Sequence, residues 1–303
     1  MNADREATAD SLSKPHPKSQ IRQRLDADVD ARWADLILLG CFFCSGLIDS
    51  MAFNMYACFV SMQTGQFNCE TADTIGWSVR TDIDRIGNTI FVGLGVNGQP
   101  DSAPRYSWAK SLAAIVCFAL GALFFSSFHR FFGPQKRWVL ISSFAIQALL
   151  IAVVAIITTI PVIPNKPPVV VQEHGSEVIR FTLPSTFPSS DFAAITILAF
   201  QSAGQIVASR ALKYNAMPTV VLTSLYCDLM SDAQLFTAPL GQNADRNRRF
   251  LGAVLLLCGA ISGAFLTTSA AGFKGGLWIA VGIKVVMTFA WFFWKQKKAV
   301  AKE

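Results

Sequence analysis

Long apolar runs with few charges recur between Asp35 and Trp294, and they constrain the fold more than any other feature of the chain. Trp138–Ile160, Phe250–Ala271 and Leu277–Trp294 are examples. Each has the ~20 residues that an α-helix needs to cross the ~30 Å hydrocarbon core of a bilayer. Backbone polar groups in lipid must be satisfied within the segment, and a β-barrel strand would alternate in polarity. The runs therefore predict membrane-spanning helices.

Composition predicts one integral membrane domain with polar ends. The chain is 52% hydrophobic and 15% charged, whereas a soluble domain carries about 25% charged residues. Charges are dense near both termini. Residues 1–33 are therefore predicted to be a disordered polar tail, residues 34–296 a transmembrane helical domain and residues 297–303 a basic tail. The net charge of +6 is explained by lysine and arginine at helix ends, so no nucleic-acid partner is expected.

The predicted fold class is all-α, a polytopic transmembrane helical bundle of six to eight spans. A proline-rich loop, residues 161–190, separates two halves. The count is six if the split second segment and the sixth segment do not cross. The eight segments are approximately Ala34–Asn54, the pair Ala57–Gly65 and Asn88–Val96, Lys110–Phe128, Arg137–Ile160, Asp191–Leu212, Pro218–Thr237, Arg249–Ala270 and Gly276–Trp294.

The two halves show signs of an internal two-fold repeat. Gly46 is followed 18 residues later by Thr64, and Gly204 is followed 19 residues later by Thr223. Many transporters are built from such repeats, with the binding site at the repeat interface. Interruptions of the helices near Thr64 and Thr223 could present free backbone groups to a ligand.

Loop charges favour a cytosolic location for both termini. With eight spans, the basic residues on the side of the termini are those of the lysine-rich C-terminus and Arg105, Lys166, Arg180, Arg246, Arg248 and Arg249. The loops on the opposite side carry fewer, namely Arg130, Lys136, Arg137, Lys213 and Lys274. The expected location is multi-pass in the plasma membrane or an internal membrane.

Cysteine and histidine indicate no metal or cofactor. Cys41-x-x-Cys44 has no second CxxC, and the three histidines lie outside the predicted spans, so these cysteines are interpreted as small packing residues. The sequence has no nucleophile–base motif. No enzymatic activity and no cofactor are therefore expected.

Polar residues inside the predicted spans are the candidates for function, because an unpaired charge in lipid is costly. Their alternative role is interhelical hydrogen bonding, which is the interpretation favoured for Gln147 and Lys284. An acid, Asp49 or Asp228, is also predicted to form a salt bridge with Arg210 or Lys284, most readily with Arg210. The predicted ligand-binding residues are Asp49, Thr64, Gly65, Gln201, Gln205, Arg210, Thr223 and Asp228.

Short motifs at these positions resemble a known family. Gly46-Leu-Ile-Asp49-Ser-Met-Ala-Phe53, followed by Met62-Gln-Thr64-Gly65, resembles the G-x-x-D…F…M-T-G-N signature of YoaK-like membrane proteins, the family catalogued as domain of unknown function number 1275. Ala199 to Arg210 and Thr219 to Asp228 are similar to its second signature in its fungal form. The resemblance implies a multi-pass membrane protein of unassigned activity, with no substrate and no catalytic residues.

Residues 66–87 interrupt this resemblance. The family pattern continues without a break, whereas here the polar and charged stretch Gln66–Gly87 separates Gly65 from Asn88-Thr89. Two hypotheses remain open: a translated, unspliced intron, or a genuine extramembrane insertion. As written, the stretch is expected to form a loop that breaks the second helix, since ionised side chains in hydrocarbon cost ~2.5–3.5 kcal/mol each.

Two functions follow from these features. The first is a small-solute transporter or channel-like protein, in which Asp49 coordinates the ligand and Gln201, Gln205 and Arg210 complete the polar surface. The alternative is a non-transporting scaffold or accessory subunit, in which the polar residues hold helices together and Gly259-x-x-x-Gly263 is a packing face. The expected partners are the lipid bilayer, a small-molecule solute and a second copy of the chain.

Overall fold

The structure, a computed structural model, describes residues 22, 24–56, 58–61, 107–160, 165, 171–173, 176–178, 189–236, 239 and 241–297. These residues are almost entirely helical. The helices are α1 (Asp35–Tyr56), α2 (Ser107–Phe132), α3 (Arg137–Thr159), α4 (Ser189–Ala211), α5 (Leu222–Met230), α6 (Ala244–Thr268) and α7 (Gly272–Phe293). An antiparallel hairpin of β1 (Val171–Glu173) and β2 (Ser176–Val178) lies between α3 and α4.

Six of the described helices, all except α5, are long and apolar enough to cross a membrane. The prediction of an all-α transmembrane bundle is thereby confirmed, at the lower end of the predicted count. The prediction that Pro218–Thr237 crosses is wrong, because α5 has only 9 residues. Pro218 and the β-branched residues that follow it disfavour a helix before Leu222. The split second segment lies outside the described residues apart from residues 58–61.

The bundle has two ends that the contacts define. At the terminal end, Arg248 of α6 forms an ion pair with Asp35 of α1 at 2.9 Å, and the hydroxyl of Tyr214 donates to the Ala31 carbonyl. At the far end, the rings of Tyr56 and Phe273 pack edge to face with centroids 5.7 Å apart. The starts of α1, α3 and α6 and the ends of α2, α4 and α7 therefore lie at the terminal end.

Basic residues concentrate at the terminal end. The eight-span arrangement placed four of them, Arg130, Lys136, Arg137 and Lys213, on the side opposite the termini. That placement is wrong, because α5 does not cross and these residues lie with the termini. The basic residues of the terminal end include Arg32, Arg130, Lys136, Arg137, Lys213, Arg246, Arg248, Arg249, Lys295 and Lys297.

Residues 24–33 form a strap across the terminal end, which we call the terminal strap. Val29 is fully buried, and its N–H donates to the Gln135 carbonyl at 2.9 Å. The Asp30 N–H donates to the Lys295 carbonyl at 3.0 Å, and the Lys297 N–H donates to the Asp28 carbonyl at 2.9 Å. Residues 24–33 and Lys297 were predicted to belong to the polar tails, but in the structure they are hydrogen-bonded across the end of the bundle. Residues 1–21 and 298–303 lie outside the described residues.

Glycines allow the helices of two pairs to approach to backbone contact. A Cβ at Gly46 of α1 would lie 2.0 Å from the Leu256 carbonyl oxygen of α6. On α6, a Cβ at Gly259 or Gly263 would lie 2.2 Å or 2.5 Å from a carbonyl oxygen of α1. A Cβ at Gly121 of α2 would likewise lie 2.4 Å from the Phe200 carbonyl oxygen of α4. The prediction that Gly259-x-x-x-Gly263 is a packing face is confirmed.

The helix packing follows the predicted two-fold repeat. Among the six long helices, exchanging α1 with α4, α2 with α6 and α3 with α7 leaves the pattern of contacting helices unchanged. The α1–α6 pair becomes the α4–α2 pair, the α1–α7 pair becomes the α4–α3 pair, and the α3–α7 pair maps onto itself. Because α1 starts at the terminal end and α4 at the far end, the two halves have opposite orientations across the bundle, as in inverted-repeat transporters.

An ion pair joins α2 to α4 at the far end. The Lys110 ammonium lies 2.8 Å from the Asp191 carboxylate, with side chains 10% and 19% exposed. Lys110→Met should lower stability by about 2 kcal/mol, since it leaves a half-buried carboxylate unpaired. Thermal unfolding in detergent, in a double-mutant cycle with Asp191→Asn, measures the coupling. Lys297→Met, at an exposed site, is the control, and additive effects of the two mutations would contradict the pairing.

Candidate functional site at the centre of the bundle

A fully buried lysine lies near the middle of α7. The Lys284 ammonium donates to Oε1 of Gln147 at 2.8 Å and to Oε1 of Gln205 at 2.7 Å. It also lies 5.3 Å from the centroid of the Phe144 ring, which suits a cation–π contact. Among the described residues, no carboxylate lies within ion-pair distance of it. The centre of the bundle therefore holds a buried lysine whose hydrogen-bond partners are two neutral amides.

Hydrogen bonds extend from this lysine to α1 and to the chain after α4. The Gln205 side-chain amide donates to the Ser45 hydroxyl, which donates to the Thr219 carbonyl at 2.9 Å. We call Ser45, Gln147, Gln205, Thr219 and Lys284 the central polar cluster. Each is at most 3% exposed. The cluster joins α1, α3, α4, α7 and the chain before α5 at one depth.

Several polar atoms in and beside the cluster are buried without a hydrogen-bond partner. Because the Lys284 ammonium can only donate, it fixes Oε1 of Gln147 as the acceptor and leaves Nε2 free. That Nε2 lies against α4, where a Cβ at Gly204 would come within 2.7 Å of it. Such atoms are rare in native structures and each needs an explanation. The unpartnered atoms here are Gln147 Nε2, Ser143 Oγ, Gln201 Oε1 and Thr219 Oγ1.

Non-helical chain enters the bundle from both ends. Residues 212–236, which we call the re-entrant segment, leave α4 at the terminal end, and the part of this segment before α5, residues 212–221, is not helical. Thr219 is fully buried, and Asp232 returns to the start of α6, where it accepts a hydrogen bond from Asn243 at 2.9 Å. Residues 58–61 follow α1 at the far end, and Val60 there is also fully buried. Irregular backbone at membrane depth is tolerated only inside protein or beside water.

Residues 58–61 and the non-helical part of the re-entrant segment are held by reciprocal hydrogen bonds. Ser45 of α1 donates to the Thr219 carbonyl of the re-entrant segment at 2.9 Å. The Ser202 hydroxyl of α4 is shared between two carbonyl acceptors, that of Val60 at 3.3 Å and that of Ala199 in its own helix at 2.8 Å. In each case the first helix of one half binds the chain that follows the first helix of the other half. The halves of the repeat therefore meet at the centre through backbone carbonyls.

Asp49 fixes residues 58–61 in place. Its Oδ1 accepts the N–H groups of Val60 at 3.1 Å and Ser61 at 2.8 Å, and its Oδ2 accepts the Ser61 hydroxyl. Asp49 is 3% exposed. Backbone N–H groups that lack a helical partner are costly in lipid, so this carboxylate stabilises the interruption. The salt bridge predicted for Asp49 is wrong, because its described partners are these groups.

The predicted site residues divide into three groups. Gln201 and Gln205 are buried on one face of α4, and Gln205 belongs to the central polar cluster. Arg210 is exposed at the end of α4 and donates to Asn215 at 3.3 Å. Thr223 and Asp228 are exposed on α5, which corrects the expectation that Asp228 lies deep in the bundle. The interruption predicted near Thr223 lies just before it, in the non-helical chain that ends at Val221. Thr64 and Gly65 lie outside the described residues.

The sequence signal for the remaining cluster residues is weaker. Lys284 and Gln147 stand out as polar residues within spans, but the pattern favours a structural role for them. Ser45, Ser202 and Thr219 carry no charge, and serine and threonine are common in membrane helices. Only the three-dimensional arrangement shows that both serines bind carbonyls of the opposite half.

Six apolar helices around a buried polar centre define a multi-pass membrane protein. The chain belongs to the family described as "Protein of unknown function (DUF1275)", whose model matches residues 87–290. The membership predicted from the motifs is thus confirmed at the level of this family. No curated protein matches the chain, and no solved structure matches it.

Proposed function

We propose that this protein is a small-solute transporter or channel-like protein with its pathway at the central polar cluster. The observation that carries the proposal is the pair of reciprocal hydrogen bonds, Ser45 to the Thr219 carbonyl and Ser202 to the Val60 carbonyl. Non-helical chain from opposite ends meets there between inverted halves. In transporters of this build, interrupted helices expose backbone groups to a solute near the bilayer midplane.

The burial of the cluster makes this state closed at both ends. Lys284, Gln147 and Thr219 are fully buried, so a solute reaches them only after helices or the re-entrant segment move. Within the proposal, Gln201 and Gln205 line the pathway. Asp49 acts by holding residues 58–61 against it.

The charge distribution supports a cytosolic terminal end. Nearly all the described lysines and arginines lie at that end, whereas Lys110 and Lys274 lie at the far end. Positive charge is retained on the cytosolic side. Within the proposal both termini are cytosolic, and the host membrane is the plasma membrane or an internal membrane of a fungal cell, as the resemblance of the motifs to the fungal YoaK-like form suggests.

Purified protein in liposomes should move at least one of four probes: glycerol, glycine, choline or nitrate. Stopped-flow light scattering measures the flux. Asp49→Ala should reduce that flux at least tenfold, because Val60 and Ser61 lose their acceptor. The flux of Asp49→Asn, which keeps Oδ1 as an acceptor, should lie between the fluxes of the wild type and Asp49→Ala. Cys258→Ala, at an exposed position of α6, should match the wild type.

Folding must be retained for this comparison. Each variant is therefore required to elute as a single species in detergent before reconstitution. Equal flux in Asp49→Ala and the wild type would remove Asp49 from the mechanism.

The alternative function is a non-transporting scaffold or accessory subunit. It is favoured by the direct contacts of Lys284 with Gln147 and Gln205, which suit polar residues that hold helices together. Under this alternative no probe moves, and Gln205→Leu lowers the melting temperature and alters the oligomeric state seen by size-exclusion chromatography.

A further inference from the structure

We propose that Lys284, Gln147 and Ser143 form a binding site for a small monovalent anion, a carboxylate or inorganic anion of a few atoms. The inference rests on the proposed function, and it names the class of solute that would use the central pathway.

The first step of the argument is charge. Lys284 is fully buried in a helix that is apolar enough to span a membrane, and its contacts are two amide oxygens and the Phe144 ring. Isolated charges at this depth are expensive and mark ion or substrate pathways. Among the described residues no carboxylate neutralises it. One negative charge supplied by a solute would do so.

The second step is the kind of hydrogen-bonding group left free. Two of the three ammonium protons of Lys284 point to amide oxygens, so one proton remains. Both protons of Gln147 Nε2 also lack an acceptor. The site thus offers surplus donors together with a positive charge, which matches an anion and opposes a cation.

The third step is the position of Ser143. It lies one turn before Gln147 on α3, so both side chains occupy the same face. Ser143 is fully buried, and its hydroxyl has no partner. A hydroxyl can rotate to donate. It therefore adds a third donor on the face of α3 that carries Gln147.

The fourth step concerns size. The three side chains are fully buried. The Gln147 amide packs so closely against Gly204 that a Cβ at this glycine would lie 2.7 Å from Nε2. Such close packing suits an anion of a few heavy atoms, such as chloride, nitrate or formate, and disfavours a bulky one such as gluconate.

The test measures anion binding to the purified full-length protein by its thermal stability at constant ionic strength. Sodium chloride, nitrate or formate should raise the melting temperature in a saturable way relative to sodium gluconate. Lys284→Gln should weaken this binding at least tenfold, and Lys284→Arg should retain part of it. Lys274→Gln, which removes a lysine at the far end, is the control and should bind as the wild type does.

Gln147→Glu is the decisive variant because the protein is expected to stay folded when it carries this substitution. The new carboxylate lies beside Lys284 and takes the place of the solute anion. We expect this variant to be at least as stable as the wild type in gluconate and to gain nothing from nitrate or formate. Wild-type anion stabilisation in Gln147→Glu, or its absence from the wild type, would overturn the inference.

Flux in liposomes separates this inference from the proposed function. No stabilisation of the wild type by any of the anions, in a protein that moves glycerol or choline and loses that flux in Asp49→Ala, would overturn the anion site and leave the transporter proposal intact. Anion binding that both variants abolish, in a protein that moves none of the probes, would support the site and contradict transport.

Discussion

Gly46→Ala is expected to destabilise the bundle by about 3 kcal/mol or more, or to prevent assembly altogether. The added Cβ would lie 2.0 Å from the Leu256 carbonyl oxygen and 2.9 Å from the Ala260 nitrogen of α6. Both are backbone atoms, so no side chain can rotate away and the two helices must separate. Overpacking of this kind costs 1–3 kcal/mol when side chains can adjust, and more when they cannot. Thermal unfolding in detergent measures the loss.

Gly282→Ala is the matched control. A Cβ at Gly282 of α7 meets nothing within 4 Å, and alanine is the better helix former. This variant should unfold at or above the temperature of the wild type. If Gly46→Ala also unfolds like the wild type, α1 and α6 are not in backbone contact and the packing described for them is wrong.

Removal of residues 66–87 is expected to raise the yield of membrane-inserted, folded protein several-fold. The stretch carries six ionised side chains, and each would cost ~2.5–3.5 kcal/mol in hydrocarbon. Its removal also makes the corresponding connections in the two halves similar in length. The connection between α1 and α2, residues 57–106, would shorten from 50 to 28 residues, close to the 32 residues 212–243 between α4 and α6. The family match begins at residue 87, where the stretch ends.

Two measurements test this prediction. Sequencing of mature transcripts should find messages that lack these codons, and fluorescence-detected chromatography should compare the deletion with the full chain. A second variant, in which a glycine–serine linker of equal length replaces the stretch, separates the effect of charge from that of length. Lower yield from the deletion, together with messages that all contain the codons, would establish a genuine insertion.

The spans could be predicted closely because hydrophobic length alone nearly determines a transmembrane helix. The predicted Arg137–Ile160 and the observed α3, Arg137–Thr159, differ by one residue. The prediction that Pro218–Thr237 crosses the membrane was wrong because it also rested on hydrophobic length alone. Hydropathy measures how apolar a segment is, not whether it crosses the membrane. The chain from Met217 to Val220 is buried and apolar apart from Thr219, yet it is not a helix.

The site was less predictable, because a sequence gives the face of each helix but not which faces meet. Gln205 was correctly placed inside the bundle. The partners of Lys284 were not, since the prediction assumed an acid and the structure provides amides from α3 and α4. The hydrogen bond between Ser45 and the Thr219 carbonyl joins residues 174 positions apart, and no local pattern encodes it.

Contacts at three positions along their length hold α3 and α7 together as one unit. Arg137 binds the Trp294 carbonyl at the terminal end, Gln147 binds Lys284 in the middle at 2.8 Å, and Thr159 accepts from the Trp278 indole at 3.3 Å towards the far end. Sliding or twisting one of these helices against the other would break all three contacts. Any movement that exposed Lys284 and kept these three contacts would have to separate α1 with α6, and α2 with α4, from this central pair. Glycines bring the two helices of each outer pair into backbone contact, so each outer pair would then move as a unit.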